Sequence, residues 1–137
     1  MIERNFTIND VKDIFYAIGK IIQSAQEWER DYMELAKILK IELDDEHINT
    51  ASLNKLNEKL KGESKLSQKD YENLKDVIDM RNYINHEFFL KDFDKSFIEI
   101  EEILNEVQFY IFEANDVVSN LIDHFRGSQI RRPTVFD

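Results

Sequence analysis

Two long runs of apolar residues, each stepping alternately by three and four, constrain this chain more than any other feature. Val11, Ile14, Ile18, Ile21, Ala25, Trp28, Tyr32, Leu35 and Leu39 make the first run. Phe97, Ile100, Leu104, Val107, Ile111, Ala114, Val118, Leu121 and Phe125 make the second. Such a step keeps a seam on one side of an α-helix, so each run predicts a core-facing helix of about 30 residues. One proline and three glycines leave almost no turn material. The expected fold is all-α: an antiparallel helical bundle of two long helices, one motif helix and one short helix. Residues 1–127 form the bundle and 128–137 a C-terminal tail.

Phe15 and Ile22 each fall one residue past a seam position and broaden the first stripe. Gly19, inside that helix, marks either a close helix approach or a tolerated surface glycine. Thr7 with Asp10 reads as a capping box at its start. The acidic stretch Asp44, Asp45, Glu46 and His47 reads as a solvated loop rather than a metal site, because its ligands are consecutive and no second cluster completes a shell. Asn49 or Thr50 opens a short helix with Leu53, Leu56 and Leu60 facing inward, ended by Gly62 in a left-handed cap. Lys55, Lys59, Lys61 and Lys65 gather there, either to touch RNA or as an ordinary charged face.

Ser67 with Asp70 forms a second capping box, and Tyr71, Leu74, Val77 and Ile78 lead a helical pattern that runs to about Leu90 and stops near Lys91. Asp92 or Asp94 then caps the last helix, which Gly127 ends. Phe109, Tyr110 and Phe112 lie off the second seam; they suit either a second interface, the dimer surface among them, or packing against the short helix. Arg131 and Arg132 in the tail either approach a phosphate or belong to a loosely ordered terminus.

Composition narrows the chemistry. Without cysteine there is no disulfide framework, thiolate zinc site or cysteine nucleophile. The first six residues lack the apolar core of a signal peptide, and no run approaches the roughly 20 apolar residues of a membrane span. A soluble, cytoplasmic protein is expected. A net charge of −10 argues against broad nucleic-acid binding and points to a small phosphate-contact area or to a partner that brings positive charge. No glycine-rich phosphate loop, serine elbow or metal-spaced histidine pair is present, so no cofactor and no metal are expected.

The strongest chemical candidate is Arg81-Asn82-Tyr83-Ile84-Asn85-His86. Arginine grips a phosphate through a fixed fork of donors, and imidazole moves protons near neutral pH. On an unbroken helix residues five apart differ by about 140°, so Arg81 stacks with Ile78, Asn85 and Phe88, and His86 with Asp79, Asn82 and Tyr83. Arginine on an otherwise apolar row requires a carboxylate, a polar cleft or a subunit interface opposite it. The alternative roles are an intramolecular salt bridge for Arg81 and an ordinary hydrogen-bonded histidine at 86.

Arg-Asn-x-x-x-His followed by Glu87-Phe88-Phe89, late in a helix of an all-helical chain, resembles the R-x4-6-H signature of the HEPN superfamily. It is most similar to the HepT-like toxins paired with minimal nucleotidyltransferases, whose pattern is R-x4-H-x-Y. The resemblance implies a bundle that forms a homodimer with the motif helices lining one cleft, and metal-independent cleavage of RNA. It implies that Arg81 holds the scissile phosphate and His86 transfers protons, with Asn82, Asn85 and Phe88 in support. A cognate antitoxin or nucleotidyltransferase is the implied partner. Phe88 departs from the pattern: it keeps the ring of the expected tyrosine but has no hydroxyl to be modified. Two other readings remain beside the nuclease: a non-catalytic HEPN-like bundle that binds nucleotide, RNA or protein, and a plain helical interaction module.

Overall fold

The computed structural model describes residues 5–41, 50–63 and 65–129. Their regular structure is all helix, in the order α1 (Val11–Ile38), α2 (Thr50–Gly62), α3 (Gln68–His86), α4 (Phe88–Lys91) and α5 (Phe97–Gln129). The all-α bundle expected from the two seams is the fold observed. Both seams are buried along most of their length, from Ile14 to Leu35 in α1 and from Ile100 to Val118 in α5, while their first members, Val11 and Phe97, lie exposed. Leu53, Leu56 and Leu60 of α2 also reach the core.

The long-range bonds fix directions. Ile8 N–H donates to Glu101 at one end of the α1/α5 pair, and Arg126 meets Glu34 at the other; the partners are 93 and 92 residues apart in sequence. A constant offset at both ends means that α1 and α5 run parallel. The motif helix α3 is antiparallel to both, since its start lies by Phe125, through Lys65, and its end by Ile21 and Ala25. A parallel pair of long helices needs a long return path, and α2, α3 and α4 supply it.

Helix ends follow local hydrogen-bond chemistry. Asp10, three residues after Thr7, is the cap of α1: its side chain accepts from Asp13 N–H at 2.9 Å. Residues 6–8 are held outside the helix, because Phe6 N–H and Ile8 N–H donate to Asn105 and Glu101 of α5. Ser67 caps α3 as expected, accepting from Asp70 N–H at 3.1 Å. The cap of α5 is Ser96, which accepts from Glu99 N–H at 3.2 Å and donates its hydroxyl to the Glu99 carboxylate at 2.9 Å. Asp92 is engaged by Tyr83 and Lys95 instead.

One glycine reading is decided and two change. Gly19 is exposed, and a Cβ there would meet nothing within 4 Å, so it is a surface glycine and not a close approach. Gly62 ends α2 without a positive φ, and α5 continues past Gly127 to Gln129. The left-handed residue is Lys40 (φ 58°), which closes α1: Ile41 N–H bonds Ala36 C=O at 2.9 Å and Lys40 N–H bonds Lys37 C=O at 3.1 Å, a Schellman closure.

The motif helix also breaks where continuity was expected. Glu87, at φ −123° and ψ −31°, leaves the helical path while its N–H still bonds Tyr83 C=O at 2.8 Å. The single turn of α4 then turns Phe88 fully into the core. Among the described residues no helix is long and apolar enough to cross a membrane.

Candidate functional site

Arg81 sits on the face of α3 that looks at α1. Its Nη2 lies 2.9 Å from Glu29 Oε1, and both side chains are nearly enclosed, 12% and 11% exposed. The carboxylate required by an arginine on an apolar row is therefore Glu29. The two groups share the edge of a cavity of about 260 Å³ between α1 and α3, with Ile21, Ile22, Ala25 and Ile84 as its apolar wall and Gln26, Glu29, Arg81 and Asn85 as its polar one. Residues four apart stack on a helix, which brings Asn85 above Arg81 and Gln26 above Ile22.

Arg81 and Asn85 are the predicted residues that share this cavity. His86 is the last residue of α3; it is exposed and lies outside the cavity lining, as a rotation of about 140° from Arg81 requires. Asn82 is half-buried. Phe88 is fully buried, edge-on to Tyr83 (6.2 Å between centroids), Phe89 (5.1 Å) and Phe93 (6.3 Å). Its ring holds α4 against the bundle.

α4, beyond His86 in the chain, and the first turns of α1 expose apolar side chains. Phe15, Phe89 and Leu90 are exposed, Leu90 by 86%, and Phe15 stacks on Phe89 with centroids 5.7 Å apart. Phe15, expected to widen the core stripe of α1, faces this patch instead. On the other side of α3 a cavity of about 420 Å³ is lined by Tyr83, Asp92, Lys95 and Ile103, among others. Tyr83 donates its hydroxyl to Asp92, and Lys95 approaches the same carboxylate at 2.9 Å. Burial, with the Asp92 bond second, pushes the Tyr83 phenol well above its ordinary range. The bonds from Tyr83 and Lys95 hold the Asp92 carboxyl below the usual carboxylate range.

Glu29 is the residue that sequence reasoning missed, and a signal for it exists. Phe15, Ile22 and Glu29 are spaced by seven along the flank of the first seam, so a carboxylate interrupts a row that is otherwise apolar. Arg81 interrupts the inward row of α3 in the same way. Two opposite charges on inward rows of two helices predict each other, provided the helices are known to face.

The acidic stretch 44–47 and the arginines at 131 and 132 lie outside the described residues. Among the described residues no group of three or more histidines and carboxylates is placed to hold a metal ion. Comparison with protein-family models, with curated proteins and with solved structures returned no match.

Proposed function

We propose that this chain is a HEPN-like endoribonuclease that cuts RNA without a metal and acts as a homodimer. The observation that carries the reading is the placement of the motif: a guanidinium and an amide on a polar cavity, with an exposed imidazole one residue beyond, at the end of the same helix. The 2′-oxygen of the substrate attacks the adjacent phosphorus as its proton passes to one imidazole. The P–O5′ bond then breaks as the second imidazole, protonated, gives its proton to the departing oxygen. Arg81 neutralises the charge that builds on the phosphoryl oxygens. One chain has one motif histidine, so two copies of His86 supply the base and the acid. The open apolar patch of Phe15, Phe89 and Leu90, whose last two members follow His86 by three and four residues, suits coverage by that second copy.

Purified protein incubated with single-stranded RNA in the presence of EDTA gives fragments ending in a 2′,3′-cyclic phosphate. The same strand with one 2′-deoxy position stays whole at that position. His86→Ala and Arg81→Ala each lower the rate by about 100-fold or more. Intact RNA, or cleavage unchanged in both variants, refutes the reading.

The Glu29 contact favours a second reading, a non-catalytic HEPN-like bundle that binds a nucleotide, RNA or a protein through Arg81. A guanidinium already neutralised by a carboxylate at 2.9 Å holds a phosphate less strongly, and the net charge of −10 disfavours extended RNA contact. Arg81-dependent binding of RNA or nucleotide without cleavage identifies this case.

A further inference from the structure

The Arg81 cavity carries two groups that holding a phosphate leaves without a task. Gln26 of α1 and Asn85 of α3 both line it, both are exposed, and among the described residues neither amide makes a hydrogen bond. They stand level with each other. α1 and α3 run antiparallel and Glu29 meets Arg81, so one turn from that contact, toward the same end, leads back three residues on α1 to Gln26 and forward four on α3 to Asn85. The slot therefore has an ion pair at one end, an amide on each wall one turn away, and Ile21, Ile22, Ala25 and Ile84 along the rest.

Apolar walls cover the faces of a flat ring, and amides at its rim form hydrogen bonds with its edges. At about 260 Å³ the cavity has room for one base, and it is smaller than the sites that enclose a whole drug-sized ligand. An amide sets a donor beside an acceptor, so it makes a two-bond pair with any edge that does the same. Adenine N6 carries two hydrogens and stands between two acceptors, N1 and N7, so both sides of the amino group match an amide. Guanine matches on the N1–H side of O6 alone, because O6 and N7 both accept. Cytosine and uracil have a carbon in place of N7 and also match on one side. Of the four bases, adenine is the one that two walls can grip together.

We infer that the cavity between α1 and α3 holds the adenine base beside the phosphate that Arg81 grips, with the Asn85 amide on one side of N6 and the Gln26 amide on the other, so that the chain selects single-stranded RNA at adenosine. The inference rests on Arg81 as the phosphate anchor. It needs no cleavage, and the base is held in the same way if the bundle only binds.

The test uses the full chain and a short fluorescein-labelled RNA, uridine except for one central base, with 2′-O-methyl groups so that no 2′-oxygen can attack. Binding is followed by anisotropy at low salt. Central adenine binds about tenfold or more tighter than central guanine, cytosine or uracil, the discrimination of a two-bond amide pair. A central 7-deazaadenine, with C–H in place of N7, binds about threefold weaker than adenine. Asn85→Leu and Gln26→Leu each cut the preference for adenine about tenfold and leave the Tm unchanged, since both side chains are exposed. Arg81→Ala weakens every strand alike, as loss of a phosphate contact does. Free adenosine monophosphate competes only far above the Kd of the strand. The inference is overturned if the four central bases bind alike, if the preference survives both leucine variants, or if the mononucleotide binds as tightly as the strand. Four bases alike with binding lost in Arg81→Ala overturns the base site and spares the anchor; a preference for adenine that Arg81→Ala leaves untouched does the reverse.

Discussion

The two ends of α3 use similar side chains to opposite effect. At its start Tyr32 donates to Asn57 Oδ1 at 2.6 Å and Asn57 Nδ2 donates to Tyr71 C=O at 3.4 Å, tying α1, α2 and α3 together in a place that water does not reach. Burial pushes the Tyr32 phenol far above its ordinary range, so it stays neutral. At the other end the Arg81–Glu29 pair borders a cavity, Tyr83 and Asp92 border another, and aromatic rings face solvent. A polar network that is enclosed and satisfied fixes how helices pack. One that borders open space can exchange its partners, which is what binding and catalysis require.

The sharpest way to break this comparison is to remove a polar group at each end. His86→Ala, at the open end, lowers RNA cleavage about 100-fold or more and leaves the Tm unchanged, read by rate assay and thermal melt. Asn57→Ala, at the closed end, costs about 2–3 kcal/mol in denaturant unfolding, because it strands a buried phenol, and leaves the activity of folded protein intact. Equal stability losses from both would erase the distinction. Glu29→Ala costs less, about 1–2 kcal/mol, since the Arg81 guanidinium stands at a cavity that water can enter.

A smaller effect falls on assembly. Phe15→Ser with Phe89→Ser weakens self-association about tenfold by sedimentation and shifts the Tm of the monomer little, because both rings are exposed. A dimer unaffected by this pair moves the interface elsewhere.

The pH dependence of the open end is smaller still. The folded Asp92 pKa is depressed, so its contribution is present above the unfolded value near 3.8 and is lost as pH falls through the lower folded value. Tyr83 has a raised folded pKa, so its contribution is whole below the unfolded value near 10.0 and is lost as pH rises above it. Tyr83→Phe flattens both limbs of the stability profile. Smallest is Lys40→Gly, which relieves a left-handed residue at the end of α1 and raises stability by about 0.5–1 kcal/mol in urea melts.

Much of the architecture was legible in the residues. The seam from Ile14 to Leu35, the Ser67 cap and the inward leucines of α2 follow from period and capping chemistry, both of which act within one or two helical turns. The candidate site was legible only in part. Arg81 on an apolar row announced a carboxylate, but nothing local said which of the many carboxylates it was. Asp92 and Asp94 looked like caps for α5, and Ser96, the residue directly before its first turn, takes that place, while Asp92 closes α4 and binds Tyr83 and Lys95. Phe88, read from its spacing to Arg81, left that row once the helix broke at Glu87.

Period and composition therefore settled that this chain is helical, which stretches form the long helices and which faces they bury, since a hydrophobic row is a property of consecutive residues. Tertiary packing decided that α1 and α5 lie parallel, that Glu29 meets Arg81 and that His86 faces solvent. Each of these depends on groups far apart in sequence, and a repeat of three and four gives a helix its buried side without giving its neighbour a direction.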